Sequence, residues 1–131
     1  DVDVAFIQRG RLVFNNYCYP CHGLNGRGNG PVHIRSSQLM ALDPGNNRWT
    51  PPADLIKVDA EQLTYGEELY PNGKMFSVIS NGIRAMRGYR AQIKPADRWA
   101  VIAYVRSLQL SQRADVEVLT PQQKQKLAPQ R

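Results

Sequence analysis

The pattern of apolar positions near the N-terminus is helical. Between residues 3 and 17, the small and apolar residues fall on one side of a helix with 3.6 residues per turn: Phe6, Gly10, Val13, Phe14 and Tyr17. Asp3 opens this stretch, and aspartate is a preferred residue at helix N-caps. The pattern therefore predicts a first helix that Asp3 caps.

The segment that follows, residues 23–52, has no such periodicity. It contains five glycines and four prolines, which favour turns and irregular backbone. We therefore expect a loop of about 30 residues with little room for a long helix. A loop of this length is uncommon in a compact domain unless something else organises it. A large non-protein group in the middle of the fold would do so.

Two shorter helices are predicted in the middle of the chain. The sequence Asp-Ala-Glu-Gln from Asp59 resembles a capping box, so a helix should begin there and be interrupted or ended by Gly66. Another helix should begin near Lys74 and stop at Asn81 and Gly82, a typical C-terminal signal.

The strongest helical pattern begins at Pro95 and runs to about Leu110, with one apolar stripe: Val101, Tyr104, Val105 and Leu108. With no clear strand alternation, the fold class is all-α, with about four helices and long loops. At 131 residues the chain suits one domain, which we place at residues 1–112. Residues 113–131 form a polar C-terminal tail, which we expect to be loose.

Charge is unevenly distributed along the chain. Residues 1–68 carry six Lys and Arg against eight Asp and Glu, whereas residues 69–131 carry eleven against three. No run of consecutive basic residues and no basic-aromatic motif points to nucleic acid. No apolar run reaches the roughly 20 residues that a membrane span needs. We therefore expect an acidic protein partner for the basic cluster: Arg84, Arg87, Arg90 and Lys94.

The only two cysteines, Cys18 and Cys21, stand with His22 in the stretch Cys-Tyr-Pro-Cys-His. A structural zinc would need about four ligands, and only His33 could join these three. His22 is also poorly placed for it, because it adjoins Cys21. A redox-active or structural disulfide is the second possibility. Redox pairs of this spacing sit at strand-to-helix junctions in α/β proteins, however, and no strands are predicted here.

Covalent haem attachment is the third possibility, and it accounts for all three residues. Cys-x-x-Cys-His is the attachment motif of c-type haem. Two intervening residues let one turn of backbone place the sulfur atoms of Cys18 and Cys21 against the two vinyl groups of a porphyrin. His22 then faces the iron from the same side. We therefore predict one covalently attached haem c.

A second axial ligand must come from the opposite side of the haem. The chain has three methionines, and Met86 follows a glycine helix stop, in a loop that could turn its side chain toward a metal. Met75 lies inside a predicted helix, where it would fill core, and Met40 lies in the long loop. His33 is a further alternative. We predict that Met86 binds the iron opposite His22.

Taken together, residues 4–110 resemble a class I mono-haem cytochrome c. Gly10 and Phe14 match the positions where the first helix of that family crosses the C-terminal helix, and Tyr104 matches the aromatic contact of the latter. By the same resemblance, the carbonyl oxygen of Pro31 would accept a hydrogen bond from the ligand histidine.

A narrower resemblance covers residues 78–112, which are similar to the cytochrome c subunits of bacterial alternative complex III and to cytochrome c domains attached to haem–copper oxidases. The chain departs from the family pattern at Arg87, where a proline commonly follows the ligand methionine. A fixed positive charge there should favour reduced iron slightly.

These resemblances imply an electron carrier rather than an enzyme. With His22 and Met86 on the iron, no position stays open for a substrate. The expected function is one-electron transfer in a respiratory or photosynthetic chain, with redox proteins of a membrane-bound complex as partners. A freely diffusing carrier, a fixed subunit or domain of such a complex, and a haem enzyme or gas sensor with a labile sixth ligand stay open. By resemblance, we expect the periplasm or the outer face of the cytoplasmic membrane.

Overall fold

The computed structural model describes residues 2–45, 48–59, 62–113 and 120–127. These residues form six helices: α1 (Val4–Tyr17), α2 (Tyr19–His22), α3 (Pro31–Leu42), α4 (Asn72–Asn81), α5 (Pro95–Arg113) and α6 (Pro121–Leu127). Two antiparallel pairs of two-residue strands accompany them: β1 (Val58–Asp59) with β2 (Gln62–Leu63), and β3 (Gly82–Ile83) with β4 (Met86–Arg87). The all-α class predicted from the sequence is confirmed.

Helix α1 begins as predicted, because the Asp3 carboxylate accepts a hydrogen bond from the Phe6 backbone N–H at 2.8 Å. Its buried side packs on α5. The rings of Phe14 and Tyr104 meet edge to face, with their centroids 5.3 Å apart. The side chains of α1, α4 and α5, with Cys18 and Ile93, form one apolar core: Val13, Phe14, Cys18, Met75, Ile79, Ile93, Val101, Ile102 and Val105.

Gly10 lies at the crossing of α1 and α5. A Cβ atom at this position would overlap the carbonyl oxygen of Ala100 and lie 3.0 Å from Tyr104 Cβ. The two helices therefore approach more closely than any side chain at residue 10 would permit. This is the close crossing that the sequence indicated.

An ion pair beside this crossing also joins α1 to α5. The Arg9 guanidinium donates through Nε and Nη2 to the two carboxylate oxygens of Asp97, each at 2.8 Å. Hydrogen bonding from Arg9 holds the pKa of Asp97 below its usual value, and the charge of Lys94 lowers it further.

Arg106, on α5, binds the segment that leads into α4. Its guanidinium donates to the carbonyl oxygens of Tyr65 and Tyr70, each at 2.6 Å, to Asn72 Oδ1 at 2.8 Å and to Gln109 Oε1 at 2.9 Å. These bonds hold a stretch without long secondary structure against the C-terminal helix.

Helix α3 corrects the prediction of an irregular loop over residues 23–52. Pro31 is its first residue, where the fixed φ of proline suits a helix and its missing N–H is not needed. The sequence pattern did not indicate this helix, because none of its residues is buried and its apolar positions therefore do not repeat on one face. Its larger apolar side chains are exposed: Val32, Ile34, Leu39 and Leu42.

The helix predicted from Asp59 is also wrong. Asp59 ends β1 and pairs with Gln62 of β2, and the Thr64 N–H bonds to the Lys57 carbonyl oxygen at 3.0 Å. The apparent capping box is followed by too few periodic apolar residues to support a helix. Ala60 and Glu61 lie outside the described residues.

The two later helices agree with the sequence patterns. Helix α4 ends at Asn81, and Gly82 follows with a φ of 81°. Helix α5 begins at Pro95 as predicted and extends three residues beyond Leu110. In the predicted loose tail, residues 121–127 form α6, whereas residues 114–119 and 128–131 lie outside the described part of the chain.

We expect Gly10→Ala to lower the free energy of unfolding by about 2 kcal/mol, because the added methyl group overpacks the helix crossing. Thermal melts of the holoprotein followed by circular dichroism measure this. Gly73→Ala in α4 is the matched control, since a Cβ there meets no atom within 4 Å. That change should stabilise the protein by about 0.5 kcal/mol. Equal effects of the two substitutions would contradict the close crossing.

We expect Asp97→Asn to lower the melting temperature at neutral pH by less than Gly10→Ala does. The folded pKa of Asp97 is lowered, so its stabilisation is complete above the unfolded pKa of about 4 and is lost as the pH falls through the folded value. The difference between parent and variant should therefore shrink in melts at successively lower pH. A difference that stays constant down to about pH 2 would argue against the ion pair.

Candidate functional site

The motif residues Cys18, Cys21 and His22 share one turn of backbone. The N–H groups of Cys21 and His22 both donate to the Cys18 carbonyl oxygen, at 3.2 and 2.9 Å. Pro20 is an early residue of α2, where it needs no donor. The structure thus brings together the three side chains that the sequence singled out.

Both cysteines are free thiols, which differ in burial. Cys18 is buried in the apolar core, and burial raises the pKa of its thiol to about 12, with a smaller contribution from Cys21. Burial also raises the pKa of the half-buried Cys21. A redox-active pair needs a thiol whose pKa is lowered. These thiols have the opposite shift, so the geometry does not favour thiol–disulfide exchange.

His22 is held by one hydrogen bond to the backbone. Its Nδ1 lies 3.0 Å from the carbonyl oxygen of Ala53, which assigns the ring proton to Nδ1 and leaves the lone pair of Nε2 available. Burial lowers the pKa of His22, although the bond to Ala53 opposes that shift. A neutral imidazole whose other nitrogen bonds a carbonyl is the usual form of a metal-ligating histidine.

This bond corrects the role predicted for Pro31. The partner of His22 is Ala53, because Pro31 opens α3 and its carbonyl oxygen belongs to the first turn of that helix. Sequence reasoning missed Ala53 because a backbone acceptor has no residue-type signal. Pro31 itself lies beside the loop after His22, in an open pocket that Tyr19 and Ile34 also line.

The turn after His22 brings Ala53 within reach. The N–H of Gly28 bonds to the His22 carbonyl oxygen at 2.8 Å, and the N–H of Leu55 bonds to the Gly26 carbonyl oxygen at 2.7 Å. Gly28 has a φ of 80°, and a Cβ there would lie 2.6 Å from the Pro52 carbonyl oxygen. Close backbone contact between the two loops therefore sets the position of the His22 acceptor.

Met86 lies in β4, in a tight hairpin rather than in the open loop expected. Arg84 occupies its turn with a φ of 51°. The Met86 side chain is half-buried and packs against the core cluster that includes Cys18. The hairpin also reaches the end of α1, since the Tyr89 hydroxyl donates to the Tyr17 carbonyl oxygen at 3.5 Å.

The alternative axial ligands have other surroundings. Met75 is buried in the core, and Met40 is half-buried on α3. His33 Nδ1 accepts a hydrogen bond from Trp49 Nε1 at 2.9 Å. Of these residues, Met86 is the one that is half-buried against the core containing Cys18 and lies outside the helices.

The basic cluster predicted from the sequence lies in this hairpin and in the segment that follows it. Its four side chains are exposed, and in the described part of the chain none of them forms a salt bridge: Arg84, Arg87, Arg90 and Lys94. Arg90 donates from Nη2 to Asn81 Oδ1 at 2.5 Å. The cluster therefore presents positive charge to solvent on the segment that carries Met86.

The donor set fits covalent haem better than zinc. Across the described residues, no three or more His, Cys, Asp or Glu side chains are grouped as a metal site would require. Two unpaired thiols and an oriented histidine on one turn match the needs of haem c. Helix α3 has no fully buried residue and exposes Val32, Ile34, Leu39 and Leu42, so it offers apolar surface that a large apolar group could cover.

Among the described helices, none combines the length and apolar character that crossing a membrane requires. A family model described as cytochrome c oxidase, cbb3-type, subunit III matches residues 5–105, most of the chain. A comparison with curated proteins finds no match. Membership of this family implies covalently bound haem c. The chain belongs to this family: it is a class I c-type cytochrome, of the kind found as oxidase-associated cytochrome c domains, and an electron carrier.

Proposed function

We propose that the protein carries single electrons on one haem c with His22 and Met86 as axial ligands. The observation that carries this proposal is the turn with Cys18, Cys21 and His22, in which the bond from Nδ1 to Ala53 leaves the His22 Nε2 lone pair free. Cys18 and Cys21 would hold the porphyrin through thioether bonds. When bound, the haem supplies an iron that changes between the ferric and ferrous states.

Met86 is the thioether that the fold best supports as the second ligand. Its hairpin follows α4 and adjoins the end of α1, and its half-buried side chain packs against the core that includes Cys18. A thioether ligand and an apolar surrounding raise the reduction potential relative to two histidines. Arg87, the next residue, adds a positive charge that also favours the reduced state.

Two protein ligands leave the metal no open position, so the residues support electron transfer rather than catalysis. The chain contributes orientation and polarity: Ala53 fixes the His22 ring, and the core around Cys18 excludes water. The exposed basic residues in and after the methionine hairpin would orient a redox partner toward this side of the protein.

The partner we propose is a redox protein with an acidic docking surface, in a membrane-bound respiratory complex such as a terminal oxidase or alternative complex III. The matched family's description names an oxidase subunit, and the exposed cluster of Arg84, Arg87, Arg90 and Lys94 supplies complementary charge. Charge steering speeds such encounters and makes them sensitive to salt. We place the protein on the outer face of the cytoplasmic membrane or in the periplasm.

Met86→Ala should abolish the sulfur-to-iron charge-transfer band of the oxidised holoprotein, because it removes the proposed thioether ligand. It should also let the reduced protein bind carbon monoxide rapidly. Visible spectra and rapid mixing with carbon monoxide measure the two effects.

Met75→Ala and Met40→Ala are the controls. Met75→Ala should cost about 2–5 kcal/mol of stability, as expected for a large-to-small change in a core, yet keep the band. A band that survives Met86→Ala and disappears in either control would transfer the ligand role to that methionine. Rapid binding of carbon monoxide by the parent would instead favour a haem enzyme or gas sensor.

Reversing charge near the hairpin should slow electron transfer to an anionic oxidant. We expect Arg84→Glu with Arg87→Glu to reduce the rate of oxidation by ferricyanide at least ~3-fold at low ionic strength, and to weaken its salt dependence. The same variant should react faster with a cationic cobalt(III) complex, which separates charge steering from an altered potential.

The matched control replaces Arg11 on α1 and Arg35 on α3 with glutamate. Both arginines are exposed and lie outside the hairpin, and this variant has the same net charge as the hairpin variant. It should change both rates less than the hairpin variant does. Equal changes in the two variants would mean that net charge, and not the cluster, governs the encounter.

A further inference from the structure

One buried cation lies outside the proposed haem ligands. Arg98, on α5, is 6% exposed, and no carboxylate of the described residues pairs with it. Burying an unpaired guanidinium is unfavourable unless neighbouring groups compensate for lost hydration. Its Nε also lacks a partner within the described structure. Neighbouring groups must therefore stabilise the buried charge of Arg98.

The described side-chain contacts of Arg98 are with α4. Its Nη1 donates a short hydrogen bond to Ser80 Oγ, and Ser80 in turn donates to the Phe76 carbonyl oxygen at 2.7 Å. The guanidinium carbon lies 4.7 Å from the centroid of the Phe76 ring. The ring of Trp99 also stacks on Phe76, with the two centroids 4.4 Å apart.

Ser80 belongs to the last turn of α4, where the unpaired carbonyl groups carry partial negative charge. Helix α4 has no basic residue of its own in this turn. Arg98 thus supplies, from a neighbouring helix, the positive charge that favours this helix end. The compensation for its burial comes from α4.

The same turn of α4 is the base of the Met86 hairpin. The N–H of Tyr89 bonds to the Ile79 carbonyl oxygen at 2.8 Å, and the N–H of Arg90 bonds to the Ser80 carbonyl oxygen at 3.2 Å. Gly88 packs so closely that a Cβ there would lie 2.6 Å from the Ser80 carbonyl oxygen. The turn that contains Ser80 therefore holds residues 88–90, which directly follow the strand that carries Met86.

We propose that Arg98 is a positioning residue, which holds the Met86 hairpin closed through Ser80 and the last turn of α4. Its described side-chain contacts are with Ser80 and Phe76 and not with Met86. The inference rests on the proposed ligation by Met86 and adds to it the element that keeps the thioether in place.

The test uses reduced holoprotein and the rate of carbon monoxide binding, which reports how often the sixth position opens. Arg98→Met removes the charge and the hydrogen bond but keeps an apolar stem against Phe76. We expect carbon monoxide to bind at least ~10-fold faster, which corresponds to about 1.4 kcal/mol. The charge-transfer band of the oxidised protein should weaken. Arg98→Lys, which keeps the cation, should restore part of both signals.

Arg106→Met is the matched control on the same helix. Arg106 makes more hydrogen bonds than Arg98, but they lead to Tyr65, Tyr70, Asn72 and Gln109 and not to the hairpin. Its loss should lower the melting temperature and leave carbon monoxide binding unchanged. Equal acceleration in the two variants at equal loss of stability would overturn the proposal, as would an unchanged rate in Arg98→Met.

Ser80→Ala decides the matter if Arg98→Met does not fold. It removes the acceptor while keeping the arginine, and it should speed carbon monoxide binding in the same direction. No acceleration in Ser80→Ala would count against the proposal. A parent protein without the charge-transfer band would show that Met86 ligation itself is wrong, and the role of Arg98 would fall with it.

Discussion

The close crossing of α1 and α5 at Gly10 is the constraint on which the rest of the structure depends. It fixes the direction in which α1 ends, and Cys18 is the first residue after that end. Because Cys18 joins the core that α1, α4 and α5 share, the attachment turn cannot move independently of the helices. A crossing between the two ends of the chain thus sets the geometry of the site between them.

Elements that pack on the protein itself could be predicted from the sequence. Helices α1 and α5 face each other, so both display apolar stripes, and α4 is stopped by Gly82. Helix α3 could not be predicted, because its apolar residues meet no protein core and therefore show no periodicity. Strands of two residues, such as β3 and β4, are too short for alternation to be visible.

The residues of the candidate site also differ in whether the sequence predicts them. Cys18, Cys21 and His22 could be read from the sequence because their chemistry depends on residue type and spacing. The acceptor for His22 could not, since any residue could supply the Ala53 carbonyl oxygen. Nor could the role of Arg98, which depends on how α5 lies against the end of α4.

The burial of Cys18 has a consequence for how the protein is made. In the folded chain Cys18 is 9% exposed, and burial raises the pKa of its thiol to about 12, which disfavours the reactive thiolate at neutral pH. Bond formation with a vinyl group requires access to the sulfur from outside. A bond to this sulfur is therefore most accessible before α1 and α5 pack together, and the packed helices then shield it from solvent.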